Sequence, residues 1–259
     1  MDGIKSSRRE ELIGKAAILL ETYFLPALLF YLIWQSVMIL VHYRWPEVAS
    51  SAYDVTNGRG GIDDFVVFIK FAKRIILILF NVTVFLALIV RKELLQGPQR
   101  LREILLPLVI IFFWSIFNLT GFLPGHFIHV IVPRKLMFTS LFLGLVLVIT
   151  GWLICLVGVY NIRYSFGVFA QVRPLVVSGF YHFCRHPVYL GYIVTTVGLC
   201  FSWPTVFSIV SAVLYIWLTV LRSRIEEMRL LAYSSEYKNY MKTTPMFFPF
   251  FNANTGGKP

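Results

Sequence analysis

The stretch SGFYHFCRHPVYLGY, residues 178–192, sets two histidines, an arginine, a cysteine and three tyrosines against the start of an apolar run. Arg185 offers a planar guanidinium to an anion, and His186 offers a ring whose nitrogens can donate or accept a hydrogen bond. A second polar group stands about forty residues on, where RSRIEE supplies Arg222, Arg224, Glu226 and Glu227. Paired carboxylates of this kind can hold an ammonium or sugar hydroxyls, and each charged hydrogen bond contributes about 1.5–3 kcal/mol. A helix starting at Pro187 adds N–H donors and positive partial charge, which suit a carboxylate. The combined chemistry fits a small molecule bearing carboxylate, ammonium and hydroxyl groups, provided that the two groups meet.

The elements between them predict that they do. Pro187 is suited to a first helical position, because its missing N–H is not needed there, and it pushes His186 out of helical geometry. Pro204 restarts a helix after Trp203. Two helices of similar length with almost nothing between them fold back antiparallel. This hairpin gathers Tyr181, His182, Arg185, His186 and Tyr189 with Arg222, Arg224, Glu226 and Glu227 at one end.

A hydrophobic fraction of 58% with only 14% charged residues excludes an ordinary soluble domain. Apolar runs at residues 23–41, 75–90, 104–123, 137–160, 187–203 and 205–221 predict an all-α, polytopic transmembrane bundle of about six segments. The charged N-terminus does not read as a cleaved signal, so the first run is expected to be retained. Three cysteines, all in or beside apolar segments, argue against a disulfide framework. The net charge of +11 follows topology. With both termini inside, the inner segments hold most Lys and Arg, and Lys70, Lys73 and Arg74 are the exception. No basic patch interleaved with aromatics points to nucleic acid. Residues 44–64 form the one substantial polar loop. Glu21, Asn81 and Asn118 are polar residues in or beside spans, lining a cavity, bonding a neighbouring helix or meeting a headgroup at the margin. His126 and His129 lack acidic or cysteine partners nearby, so no metal site is expected. Residues 1–136 read as a transmembrane scaffold that helps select an acceptor, and residues 137–259 as the chemical core with a cytoplasmic tail.

The two polar blocks resemble the isoprenylcysteine carboxyl methyltransferase family and the related phospholipid methyltransferases. The family pattern G-x-Y-x-x-x-R-H-P-x-Y-x-G is met by Gly179, Tyr181, Arg185, His186, Pro187, Tyr189 and Gly191. Its R-x-x-x-E-E block is met by Arg222, Glu226 and Glu227. Tyr237, Tyr240, Pro245 and Pro249 match the closing part, where Thr244 replaces the frequent valine. The resemblance spans about the last hundred residues; those before Met137 carry no signature.

The resemblance implies an integral membrane methyltransferase that uses S-adenosylmethionine without a Rossmann domain, in keeping with the lack of a G-x-G-x-x-G after a strand. It implies that Tyr181, His182, Arg185, His186, Pro187, Tyr189, Glu226 and Glu227 surround the cofactor, with Arg185, Arg222 and Glu226 nearest the chemistry. The expected acceptor is lipophilic, a prenylcysteine-like carboxylate or a phospholipid amine. Methyl transfer from a sulfonium chiefly requires alignment and exclusion of water, and a base only where the acceptor arrives protonated. A small-thiol methyltransferase, a sterol-reductase-like NADPH oxidoreductase and a non-catalytic membrane protein are the alternatives.

Overall fold

Pro26 and Pro46 shape the N-terminal third of the chain. A proline ring inside a helix clashes with the carbonyl four residues back, and a widened turn before it is one way to relieve the clash. In the computed structural model, five-residue π-helical turns, Leu20–Phe24 and Leu40–Arg44, each end two residues before one of these prolines. They join α1 (Asp2–Leu19), α2 (Leu25–Ile39) and α3 (Trp45–Thr56) without a break. The stretch Glu10–Asp54 is 45 residues long, about 68 Å at 1.5 Å per residue, over twice a hydrocarbon core.

The structure describes residues 2–57, 59, 61–92, 94–95, 97–116, 130–169 and 171–247. Every regular element among them is helical. After a turn, α4 (Ile62–Val90) returns along α2 and α3, its start capped by the Gly61 N–H donating to the Asp64 carboxylate at 2.8 Å. Then come α5 (Arg102–Ile116), α6 (Met137–Asn161), α7 (Pro187–Ser202), α8 (Val206–Tyr233) and α9 (Ser235–Thr243). Among the described residues three helical stretches are long and apolar enough to cross a membrane, Glu10–Asp54, Met137–Asn161 and Val206–Tyr233. Arg74–Val90 and Pro187–Ser202 are shorter apolar helices. This is the helix set of a membrane protein.

Two expectations are corrected. The polar stretch 44–64 is not a loop over most of its length. Trp45–Thr56 continues the first helix, because it holds no helix breaker after Pro46 until Asn57-Gly58. The run expected to end at Leu221 continues to Tyr233, since RSRIEEMRLLAY is rich in good helix formers. Glu226 and Glu227 therefore ride on a rigid helix. Asn118, His126, His129 and Pro249 lie outside the described residues.

The closest helix pair is α6 with α7. Gly144, Gly151 and Gly158 recur every seven residues along one side of α6. A Cβ at Gly144 would lie 2.7 Å from the Gly198 carbonyl, and one at Gly151 would lie 2.7 Å from the Gly191 carbonyl. At Gly158 the neighbour is Val188. The order of these contacts makes the helices antiparallel. Where lipid supplies no hydrophobic drive between helices, such small residues let backbones approach closely. One apolar core crosses the boundary at residue 136, joining Ala17, Phe80 and Ala87 to Trp152, Cys155 and Phe169.

Candidate functional site

Local sequence sets the first half of the site. Gly179 takes φ +65°, and a Cβ there would collide with the Asn161 side chain, so glycine is required on both counts. It opens a 3-10 turn, Gly179–His182, after which the chain passes through Cys184 and Arg185 to His186. His186 caps α7 with non-helical backbone angles, and Pro187 takes the first helical position. The second half is a face of α8. Arg222 and Glu226 are one turn apart on the same side. Glu227, one residue on, points about 100° further round the helix.

That rotation divides the carboxylates. Glu226 Oε1 accepts from the Tyr189 hydroxyl and from Arg222 Nε at 3.2 Å. The Arg222 guanidinium lies over the Tyr189 ring at 5.1 Å, and Tyr189 stacks on His186 at 5.5 Å. Glu227 Oε1 accepts from Arg185 Nε at 2.7 Å and lies 3.1 Å from His186 Nε2. The Tyr237 hydroxyl from α9 stands 3.4 Å from the same oxygen. Two cations and two carboxylates thus balance in a mostly buried cluster. Glu226 is its most open member, with 21% of its side chain exposed.

The segment after α9 closes one side. Arg185 Nη1 donates to the carbonyls of Met241 and Thr244, at 3.1 and 2.7 Å. The backbone N–H groups of Arg185 and His186 donate to the carbonyls of Pro245 and Met246. Phe247 packs on the His186 ring. The Tyr240 hydroxyl donates to the Tyr181 carbonyl. Burial first, and then the nearby Glu226 carboxylate, hold the Tyr181 hydroxyl well above the usual phenol range. Burial and Glu227 do the same for Tyr237.

Of the residues singled out from the sequence, the structure joins Arg185, His186, Tyr189, Arg222, Glu226 and Glu227 directly. Pro187 and Tyr181 border the cluster. His182 is exposed and meets Phe183 edge-on, and Arg224 is exposed on α8. The expectation that the first-turn N–H groups wait for a ligand is also modified, because that of His186 is taken by Met246.

Sequence reasoning missed the buried polar contacts that Arg222, Glu103 and Glu21 make outside the cluster. Arg222 Nη2 also donates to the Val168 carbonyl. Glu103, at the start of α5, accepts from Arg229 of α8 and from the N–H groups of Gln99 and Arg100. Glu21 is 1% exposed and surrounded by protein donors, so it does not meet a headgroup. Its charge inside an apolar stretch was the available signal.

A cavity of about 510 Å³ lies at the other end of α7 and α8, lined by Leu136, Ser140, Cys200, Phe201 and Pro204 among others. It is apolar and holds none of the charged groups above. No group of three His, Cys, Asp or Glu suited to a metal occurs among the described residues.

For S-adenosylmethionine, the test is whether the cluster has counter-charges to offer. Among the described residues both carboxylates are engaged through Oε1 alone. Oε2 of each can face an ammonium or a hydroxyl, and Arg185 and Arg222 can face a carboxylate. The donor set fits. No protein-family model matches the chain, and no curated protein matches it.

Proposed function

We propose that the chain is an integral membrane methyltransferase that takes its methyl group from S-adenosylmethionine and delivers it to a lipophilic acceptor. The observation that carries this reading is the convergence of Arg185-His186 with Glu226-Glu227 on one buried cluster. These are the two blocks through which the sequence resembles the isoprenylcysteine carboxyl methyltransferases and phospholipid methyltransferases. In this reading α7 and α8 form a transmembrane hairpin within a bundle of about six segments. Both termini and the cluster face the cytoplasm.

The donor would supply an activated methyl on a sulfonium. Glu226 and Glu227 would hold its ammonium and ribose hydroxyls through Oε2 of each, and Arg185 or Arg222 its carboxylate. His186 is held by Glu227 on one side and by stacking on Tyr189 on the other, which fixes its ring for contact. The acceptor is a prenylcysteine-like carboxylate or a phospholipid amine entering from the bilayer. A carboxylate acceptor is already ionised and needs orientation only. An amine must lose a proton, and Glu226 is the most exposed carboxylate positioned to take it.

Binding of radiolabelled S-adenosylmethionine and of NADPH to the detergent-purified protein tests the proposal. Saturable binding of the first supports it. Binding of NADPH alone moves the protein to the reductase class, and binding of neither leaves the non-catalytic reading. A panel of prenylcysteine, aminophospholipid and small-thiol acceptors with labelled donor then identifies the acceptor class.

A further inference from the structure

Glu21 and Arg222 hold opposite edges of one peptide unit. The Phe169 N–H donates to Glu21 Oε1 at 2.9 Å, and the Val168 carbonyl of the same unit accepts from Arg222 Nη2. In a planar trans peptide the N–H and C=O point in opposite directions and move as one body. Its dipole runs from the carboxylate to the guanidinium in the favourable sense. The Val168 N–H, at 2.6 Å, also donates to Glu21 Oε1, so the segment is held at two successive amides.

The grip is buried and reinforced. Glu21 Oε2 accepts from Gln171 Nε2 at 2.8 Å and pairs with Arg91, while Arg173 lies 3.7 Å away. Glu21 sits in the π-helical turn that precedes Pro26, the kind of turn often found at functional sites. Beyond Arg222 the chain of contacts continues to Glu226 and Tyr189. A residue of the N-terminal third therefore reaches the cluster through a single peptide.

We infer that Glu21 is a positioning residue for the Arg222–Glu226–Tyr189 side of the cluster, acting through the Val168–Phe169 peptide. The effect on donor binding rests on the proposed function; the mechanical coupling does not. With Glu21 neutralised, the Val168 carbonyl loses its fixed place. Arg222 then has freedom to turn away from Glu226 and from the Tyr189 ring.

The matched control is Glu103, a carboxylate of similar burial that also accepts two backbone N–H groups and pairs with an arginine, but contacts Arg229 instead of the 168–169 peptide. Glu21→Gln, Glu21→Asp, Glu103→Gln and Arg222→Gln are made in the full chain and purified in detergent. Glu21→Gln and Glu103→Gln should lower Tm by similar amounts. Of these two, only Glu21→Gln should raise the Kd for S-adenosylmethionine, by about tenfold, the size expected from one charged hydrogen bond displaced. Glu21→Asp, which keeps the charge on a shorter arm, should recover part of the affinity, while Glu103→Gln stays within about twofold.

Thermal unfolding without ligand gives a second readout. The combined Glu21→Gln and Arg222→Gln variant should lose less than the sum of the single losses, by about 3 °C, whereas Glu103→Gln with Arg222→Gln should be additive. Additivity in the first pair, or an unchanged Kd in Glu21→Gln, overturns the inference. If the wild-type protein binds no S-adenosylmethionine, the proposed function falls, and the thermal cycle alone decides whether Glu21 positions Arg222.

Discussion

Arg185 and Glu227, 42 residues apart in the chain, meet at 2.7 Å with each side chain only 10% exposed. Removing one member of such a pair strands a charge away from water, which costs about 3–5 kcal/mol, whereas replacing both with apolar groups is often neutral. Arg185→Gln is therefore expected to lower Tm in detergent, and Arg185→Met combined with Glu227→Leu to recover much of the loss. The double variant should still fail to bind S-adenosylmethionine, which separates the stabilising part of the pair from its ligand-binding part. A double variant no more stable than the single one contradicts this description of the pair.

The donor site makes a sharper demand. Glu226→Ala, Glu227→Ala and His186→Ala should each weaken S-adenosylmethionine binding by roughly 10–100-fold, the loss expected for one or two charged hydrogen bonds. His182→Ala should change it little, because that ring stands at the surface against Phe183. Calorimetric titration of the four proteins measures this. Unchanged affinity in the first three, with folding intact, puts the donor elsewhere.

Packing between α6 and α7 has its own test. Gly151→Ala places a Cβ 2.7 Å from the Gly191 carbonyl, an overlap that only a shift of one helix relieves. Overpacking of this order costs about 1–3 kcal/mol. At Gly14 on α1 the nearest atom to a new Cβ is the Pro98 carbonyl oxygen at 3.9 Å, so Gly14→Ala should be neutral or stabilising. Equal melting temperatures for the two variants contradict the close approach.

How much of this was legible in the sequence depends on how local each cause is. Pro187 and Pro204 bracket α7 by their own chemistry, but the meeting of His186 with Glu227 does not follow from helices of similar length, since α7 has 16 residues and α8 has 28. Pro26 and Pro46 were equally visible, yet a proline inside an apolar run is compatible with a kink, a break or a widened turn. Only the packed structure selects the widened turn and the continuous helix. The partners of Glu21 lie at Arg91, Val168, Phe169 and Gln171, separated by 70 to 150 positions. No periodicity or spacing encodes contacts at that range. A buried carboxylate could be suspected from the sequence, but not what it holds.

Cys184 supplies a pH-dependent test. Burial pushes its thiol up to about 11, partly opposed by the His186 N–H. An unperturbed cysteine ionises near 8.5, so between roughly pH 8.5 and 11 the unfolded chain releases this proton while the folded one keeps it. The contribution of Cys184 to stability is therefore unchanged below that window and falls as pH rises through it. At pH 8 the folded thiol is therefore ionised to a far smaller extent than an unperturbed one. Iodoacetamide labelling followed by peptide mass analysis should find Cys184 at least about tenfold slower than an unperturbed thiol, with the rate rising at higher pH. Rapid labelling at pH 8 in the folded protein contradicts the burial.

The sidedness of the long first helix decides the membrane arrangement. Glu10–Asp54 exceeds the hydrocarbon core by about 38 Å, so one of its ends must project well beyond that core. Ser50 on α3 and Lys238 on α9 are both exposed and sit on the portions proposed to lie on opposite sides. Single cysteines at these positions, in a background where Cys155, Cys184 and Cys200 are replaced by serine or alanine, report the side by labelling with a membrane-impermeant maleimide. Intact cells or sealed vesicles of known orientation should label Ser50→Cys from outside and Lys238→Cys only after permeabilisation. A reversed pattern inverts the orientation and carries the Arg185–Glu227 cluster to the outer face, away from cytoplasmic S-adenosylmethionine. Labelling of both positions from one side rules out the six-segment arrangement, because the chain between Ser50 and Lys238 must then cross an even number of times.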